Sequence, residues 1–181
     1  MATPQTRKAK SGGSRKTARK TQRTSPNDAT KLLQADHRQI EKWFKEFEAT
    51  NGAKTKARLA EQICTALKVH TQIEEEIFYP ASREALPSER EEMVDEAIVE
   101  HAAAKALIAE IEAMDVEEEL FDAKVKVLQE MIEHHVQEEE KEYFPATRRT
   151  EMDMEAIGRQ LAERKEELMG EMTRVNGQMV Q

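Results

Sequence analysis

Four of the five histidines and two glutamates stand at spacings in this 181-residue chain that suit metal binding. His70 and Glu74 are four residues apart, and His135 and Glu139 repeat that spacing. Residues four apart lie one turn apart on the same face of a helix, so each pair can present an imidazole and a carboxylate in one direction. Both groups are ligands for divalent transition-metal ions. The two pairs are therefore candidate metal ligands.

The surroundings of these pairs form an internal repeat. The segment that begins His70-Thr-Gln-Ile-Glu74 and ends Pro80-Ala-Ser-Arg recurs as the segment from His135 to Arg148, which ends Pro-Ala-Thr-Arg. A second histidine also repeats, because His37 and His101 are each preceded by an acidic residue. The repeat predicts two copies of one helical hairpin, each supplying one histidine and one His-x-x-x-Glu pair.

Apolar residues recur at helical spacing in the stretches that carry these ligands. Pro80 is predicted to stop the second helix and Pro145 the fourth, and a capping box of Ser88 and Glu91 is predicted to open the third. The predicted helices run over about 28–50, over 53–79, from 88 onward, from 121 to before 145, and over 153–175. Short connections between long helices favour antiparallel neighbours. The sequence predicts an all-α protein, an up-down antiparallel four-helix bundle over residues 28–148 with an added amphipathic helix in residues 149–181.

All six candidate donors fall at a similar depth from the ends of the predicted helices. Unpaired carboxylates buried there would each cost several kcal/mol, and bound metal ions would offset that cost. The predicted ligands are His37, His70, Glu74, His101, His135 and Glu139. Six donors exceed the four that one zinc ion takes, and the set is too rich in nitrogen for magnesium or calcium. Four imidazoles shared between two ions, with two glutamates that can bridge, indicate a pair of iron ions with an oxo or hydroxo bridge.

A carboxylate-rich ferritin-like site is excluded, because such sites use Glu-x-x-His pairs. No histidine in this chain has a glutamate three residues before it. The order and spacing of the six donors, together with the two aromatic–proline ends, resemble the hemerythrin-like proteins that carry the HHE cation-binding domain. The resemblance covers residues 28–148 and implies a non-haem di-iron site in a four-helix bundle. It also implies a role in carrying oxygen, storing iron, or sensing oxygen, iron, nitric oxide or peroxide.

One position departs from the oxygen-carrying hemerythrins, which have a further histidine one turn after the third-helix ligand. Lys105 stands there in this chain, and a protonated amine has no lone pair for a metal. We expect Lys105 to lean to solvent or to pair with a nearby carboxylate. The sequence therefore favours a protein that binds or senses oxygen, peroxide or nitric oxide, or handles iron. The alternatives are a low-turnover di-iron enzyme that acts on peroxide, and a bundle in which metal only stabilises the fold.

Three other side chains allow two interpretations each. His134 and Glu138 have the same spacing as the fourth-helix pair, but the repeat favours His135, so His134 is expected to be solvated or to lie behind the ligands. Tyr143 stands either at the open end of the site or at an ordinary helix end. Cys64 is interpreted as a small core residue rather than a redox thiol.

Charge is distributed unevenly along the chain. Residues 1–27 contain eight lysines or arginines and no acid, which leaves 20 bases against 36 acids in residues 28–181. With almost no apolar content, residues 1–27 are predicted to form a disordered basic tail. The tail is a solvated extension, a non-specific nucleic-acid binder or, less in keeping with its composition, a transit peptide.

The remaining composition excludes several classes of protein. One cysteine rules out an internal disulfide framework and any zinc or iron–sulfur site based on cysteines. No apolar run approaches the ~18 residues that a membrane span needs. The sequence therefore predicts a cytoplasmic protein without a membrane partner, whose ligand is a small diatomic molecule or a peroxide.

Overall fold

The structure is a computed structural model that describes residues 27–178. The predicted basic tail lies outside the described residues, apart from Asn27. Seven α-helices occur within them: α1 Ala29–Ala49, α2 Ala53–Ile73, α3 Tyr79–Ala85, α4 Glu92–Glu112, α5 Phe121–Glu138, α6 Phe144–Thr147 and α7 Met154–Gln178. Between residues 27 and 178 no strand is present, so the all-α prediction is confirmed.

Four long helices form a closed ring. Helix α1 packs against α2 and α5, and α4 packs against the same two helices. Contacts between α2 and α4 show that these two helices run in opposite directions. Lys68 Nζ lies 2.5 Å from Glu112 at the end of α4. Further along the chain from Lys68, Glu75 contacts His101, which lies earlier on α4. The predicted up-down antiparallel bundle is confirmed.

The apolar core is divided into two clusters by a polar layer. One cluster includes Ile40, Phe44 and Ile132, and the other includes Leu33, Phe78 and Phe144. The buried histidines and glutamates lie between the two clusters along each long helix. Apolar packing on both sides therefore fixes the helices that carry the polar layer and keeps bulk water from its two ends.

The prediction that Pro80 and Pro145 stop their helices was wrong. A π-helical turn, Glu74–Phe78, joins α2 to α3, and a second one, Glu139–Tyr143, joins α5 to α6. The turns close with bonds from Tyr79 N–H to the Glu74 carbonyl and from Phe144 N–H to the Glu139 carbonyl. Each proline then occupies the first turn of the next α-segment, where a missing N–H is tolerated.

The capping-box prediction was also wrong. Residues Ser88–Arg90 form a 3₁₀ turn, and α4 begins only at Glu92. The carbonyl of Ser88 accepts the Glu91 N–H at 3.2 Å, so the backbone itself satisfies this donor. The Ser88 hydroxyl therefore does not cap the helix.

The added C-terminal helix packs on the outer face of α1 and α2. The apolar face predicted for it, Ile157, Leu161 and Leu168, is buried. Gly158 permits a close approach to the start of α1, because a Cβ there would lie 1.7 Å from the carbonyl oxygen of Asn27. Among residues 27–178, no helix combines the length and the apolar content of a membrane span.

Candidate metal centre

The fold brings all six predicted ligands into one buried layer. Each of these residues is at most 5% exposed. The Nε2 atoms of His37 and His70 are 3.0 Å apart, and those of His101 and His135 are 3.2 Å apart. The four imidazoles therefore form two pairs, one within each helical hairpin.

The two glutamates lie between the imidazole pairs. Glu74 Oε2 is 3.4 Å from His70 Nε2 and 3.5 Å from His101 Nε2. Glu139 Oε2 is 3.3 Å from His37 Nε2 and 3.9 Å from His135 Nε2. Each carboxylate thus contacts one histidine of each hairpin, which is where a carboxylate shared by two ions would lie.

Two overlapping groups of donors result. In each group the candidate ligand atoms all lie within 4.8 Å of one another. The first group is His37, His70, Glu74 and Glu139, and the second is Glu74, His101 and His135. Glu74 belongs to both groups, so the layer offers two adjacent cation positions.

The π-helical turns place these glutamates. The buried positions on one strip, His70, Glu74, Phe78 and Ser82, are each four residues apart. In a regular α-helix a four-residue step advances beyond one turn of 3.6 residues, so the strip would rotate out of the core. A turn closed by an i→i+5 bond holds more residues and keeps the strip facing inward. The second hairpin repeats this with His135, Glu139, Tyr143 and Thr147.

The chemistry of the layer fits a cation. All four carboxylate oxygens of Glu74 and Glu139 are buried without a hydrogen-bond donor. An ionised carboxylate in such surroundings costs several kcal/mol unless a positive charge compensates it. Paired Nε2 atoms about 3 Å apart likewise need a proton or a metal between their lone pairs. The side chains present therefore fit a bound metal ion.

An acidic residue faces the opposite nitrogen of each imidazole, and three of the four lie within hydrogen-bond distance of it. His37 Nδ1 is 2.9 Å from Glu140, His101 Nδ1 is 3.1 Å from Glu75, and His135 Nδ1 is 2.8 Å from Glu100. The fourth contact, from His70 Nδ1 to Asp36, is longer at 3.6 Å. An Nδ1–H donated to a carboxylate fixes the tautomer whose Nε2 lone pair faces the layer. Sequence reasoning missed these contacts, although the adjacent acids were visible in the repeat.

Three of these acids are in turn held by a permanent cation. Arg38 pairs with Glu140, and Lys165 of α7 pairs with Asp36. Lys105 Nζ lies 2.6 Å from both oxygens of Glu75. Of the two predicted outcomes for Lys105, pairing with a nearby carboxylate is therefore the one observed. At the fourth acid, Glu100, the outer neighbour is His134, with Nε2 at 3.8 Å.

The electrostatics of the layer reflect its surplus of carboxylates. Burial lowers the pKa of His37, but the nearby carboxylates of Glu139 and Glu140 outweigh it and raise this pKa to about 9. Burial and the nearby carboxylate of Glu139 raise the pKa of Glu74 well above its usual range. Burial and the neighbouring imidazoles lower the pKa of His101 to about 2. The pKa values of His37 and His101 therefore move in opposite directions within one layer.

Two tyrosines border the layer. Tyr79, which sequence reasoning did not single out, lies with its hydroxyl 3.2 Å from His101 Nε2. Tyr143 is buried at the open end of the site, where its hydroxyl has no hydrogen-bond partner. Burial raises the pKa of Cys64 to about 12, which agrees with its interpretation as a core residue. His134, the competing ligand candidate, is 65% exposed.

Two cavities reach the ligand layer from the surface. One, of about 80 Å³, lies between α4 and α5 and ends at His135, Glu139 and Tyr143. The other, of about 300 Å³, lies between α1 and α5 and ends at His37 and Glu140. Each hairpin therefore has one histidine that borders a cavity.

Comparison with known proteins gives a consistent picture. The family model described as the hemerythrin HHE cation binding domain matches residues 28–147. An uncharacterized hemerythrin-like protein of Schizosaccharomyces pombe is 26% identical over 110 residues, which cover 61% of this chain and 54% of that protein. The chain thus matches about half the length of this relative.

A solved structure also shares the fold. It is the crystal structure of a hemerythrin HHE cation binding domain-containing protein from Mycobacterium kansasii. The superposition has a TM-score of 0.67 at 21% sequence identity and covers 80% of this chain and 88% of the other.

Proposed function

The chain belongs to the hemerythrin HHE cation-binding family, and on that premise we propose that it holds two non-haem iron ions with which it binds or senses oxygen, peroxide or nitric oxide. A single observation carries the proposal: two donor groups overlap at Glu74 in one buried layer. The proposed ligands are His37, His70 and Glu139 for one ion and His101 and His135 for the other, with Glu74 between them. Glu139 also lies close enough to His135 to be shared.

Iron held there would supply Lewis-acid, redox-active positions for a small ligand. The protein's own residues determine access and orientation. The acids bonded to Nδ1 of His37, His101 and His135 hold these three imidazoles in one tautomer. The two apolar clusters exclude water above and below the layer. These features support a rigid, largely dry site for a molecule of a few atoms.

The position of Lys105 supports ligand sensing over reversible oxygen carriage. Its ammonium group is held by Glu75 on the outer side of His101, so it supplies no lone pair to a metal. The six proposed ligands therefore leave more positions for exogenous ligands than a site with a fifth histidine would. We expect the reduced protein to oxidise in air without a long-lived oxygen adduct, and to bind azide or nitric oxide readily.

A second candidate function, slow turnover of peroxide, is favoured by Tyr143. Its unpartnered hydroxyl lines the 80 Å³ cavity beside His135 and Glu139. A hydroxyl in that place can donate a hydrogen bond to a peroxide oxygen. Replacing Tyr143 with Phe separates the two functions, because it would reduce peroxide turnover while leaving azide binding nearly unchanged.

Metal analysis of protein purified without added metal tests the proposal. We expect about two irons per chain and an absorption band of an iron pair that changes when nitric oxide or azide is added. Protein that carries only zinc, or one metal ion, would contradict it. Turnover of peroxide at a rate that depends on Tyr143 would move the assignment to the second candidate.

A further inference from the structure

A third cluster of potential ligands lies outside the buried layer. His134 Nε2 is 3.3 Å from Glu138 Oε1 and 3.8 Å from Glu100 Oε1. Their candidate ligand atoms lie within 4.8 Å of one another. Unlike the inner donors, these side chains are 30–65% exposed, so an ion in solution can reach them.

The pattern around the imidazoles points to a cation at this place. Three of the four acids that hold an Nδ1 atom also contact Lys or Arg, namely Glu140, Glu75 and Asp36. Glu100 breaks the pattern, because its neighbour on the outer side is the imidazole of His134. An imidazole, unlike an ammonium or guanidinium group, can bind a metal ion through a lone pair.

Two members of the cluster, Glu100 and Glu138, belong to the cavity between α4 and α5. Glu100 and Glu138 line this cavity together with Glu96 and Glu142, and its inner end is formed by His135 and Glu139. Neither Lys nor Arg occurs among the residues that line it. A cleft lined by one sign of charge concentrates the opposite ion, so this cavity favours the entry of cations.

Unpartnered buried groups also face this cavity. The Tyr143 side chain, which lines it, is 3% exposed, and its hydroxyl has no hydrogen-bond partner. Both oxygens of Glu139, at the inner end, are unpartnered as well. By contrast, the cavity between α1 and α5 is lined by Arg38 and Lys141 as well as by acids and apolar residues.

We propose that Glu100, His134 and Glu138 form an outer docking site for a divalent transition-metal ion, from which ions pass through this cavity to His135 and Glu139. One imidazole and two carboxylates suit ferrous iron and manganese. One oxygen of Glu100 already holds His135, so the same side chain connects the outer position with the inner ligands. The delivery role rests on the proposed function, whereas the outer site itself does not.

Titration of the purified, iron-loaded protein with Mn²⁺ tests the outer site, with free Mn²⁺ measured by electron paramagnetic resonance. We expect one weakly bound equivalent in the unmodified protein that is lost in both His134→Ala and Glu138→Gln. Glu130→Gln removes the same charge from an exposed position of α5 outside the cluster and should retain it. Absence of this equivalent, or its persistence in both variants, would overturn the proposal.

Exchange of bound iron against added ⁵⁷Fe²⁺, followed by mass spectrometry, tests the delivery role. We expect exchange to be several-fold slower in His134→Ala and Glu138→Gln than in Glu130→Gln, with equal total iron in all three. Equal exchange rates would overturn delivery. Protein without inner iron would contradict the proposed function instead, and the Mn²⁺ difference between the variants would still report on the outer site.

Discussion

The two halves of the ligand layer are built alike but covered differently. On the α1–α2 side, α7 packs over the bundle and Lys165 reaches the acid behind His70. Among residues 27–178, α7 makes no comparable contact with α4 or α5, and a cavity lined by glutamates borders His135 and Glu139 on that side. The comparison shows that the repeat fixes the inner ligands, whereas the surroundings of each half decide which charged side chains line the cavity beside it.

The largest effects should follow from the glutamates that both halves share. Glu74→Gln should lower the iron content below that of His70→Ala, because Glu74 lies beside imidazoles of both hairpins. Metal-binding free energy contributes to folding, so the thermal midpoint of the purified protein should fall with the iron content. Metal analysis and calorimetry of the same samples check both.

Chelated protein provides the control for this prediction. Without metal, Glu74 is a buried carboxyl with no donor, so Glu74→Gln should leave the stability of the metal-free protein unchanged or raise it. Equal loss of stability with and without metal would show that Glu74 has only a packing role. Unchanged iron in both His70→Ala and Glu139→Ala would rule out the proposed ligand set.

The acids behind the imidazoles should have the next largest effect. Glu75→Gln and Glu140→Gln should each weaken iron binding by roughly 10- to 100-fold, because each acid orients a ligand. Asp36→Asn should have a smaller effect, since its contact with His70 is longer. Competition with a chelator of known affinity measures the three variants. A uniform effect in all three variants would show that the length of the Nδ1–carboxylate contact does not determine its contribution to iron binding.

Lys105→His tests whether the proposed metal ion beside His101 has coordination positions left for exogenous ligands. The new imidazole stands one turn after His101 and would supply a fifth nitrogen donor, so any oxygen adduct should live longer and azide should bind more weakly. Stopped-flow absorption after mixing reduced protein with oxygen measures the lifetime. A stable, reversible oxygen complex in the unmodified protein would contradict the reasoning and make oxygen carriage the leading function.

Lys165→Met should have only a small effect on the free energy of unfolding, and this effect should be confined to the α1–α2 half of the ligand layer. Its pair with Asp36 is partly exposed, and such pairs contribute at most about 1 kcal/mol. Denaturant unfolding should therefore show a loss of unfolding free energy below that value. The loss should be comparable with that in Lys124→Met, which removes a surface ion pair far from the site. Only Lys165→Met should also alter iron affinity, because only Asp36 contacts a proposed ligand.

The smallest effect is expected for His134→Ala on the inner iron. This side chain is exposed and belongs to the outer cluster, so the iron content of purified protein should stay near that of the unmodified chain. Metal analysis of the purified variant measures this iron content. A loss of inner iron would mean that His134, not His135, is the ligand on α5.

The bundle and the convergence of six donors could be predicted because helical periodicity and the repeat both leave clear patterns. The prolines were misread because Pro80 and Pro145 normally end helices, and the π-helical turn that admits them has no simple sequence signal. Contacts such as Tyr79 with His101 depend on side-chain rotamers, which spacing does not determine. The thin apolar face of α7 fits many surfaces, so its position on α1 and α2 could not be inferred.

Each glutamate contacts a histidine of the other hairpin, so the two hairpins form the ligand layer jointly. Glu74 reaches His101 of the other hairpin, and Glu139 reaches His37. A hairpin on its own would have two imidazoles and one carboxylate, which is half of the six donors. If the backbone were cut between Leu86 and Glu92, metal ions bound in the layer would bridge the two fragments. Reassembly of such fragments would then depend on metal, as in a homodimer whose ligands come from both subunits.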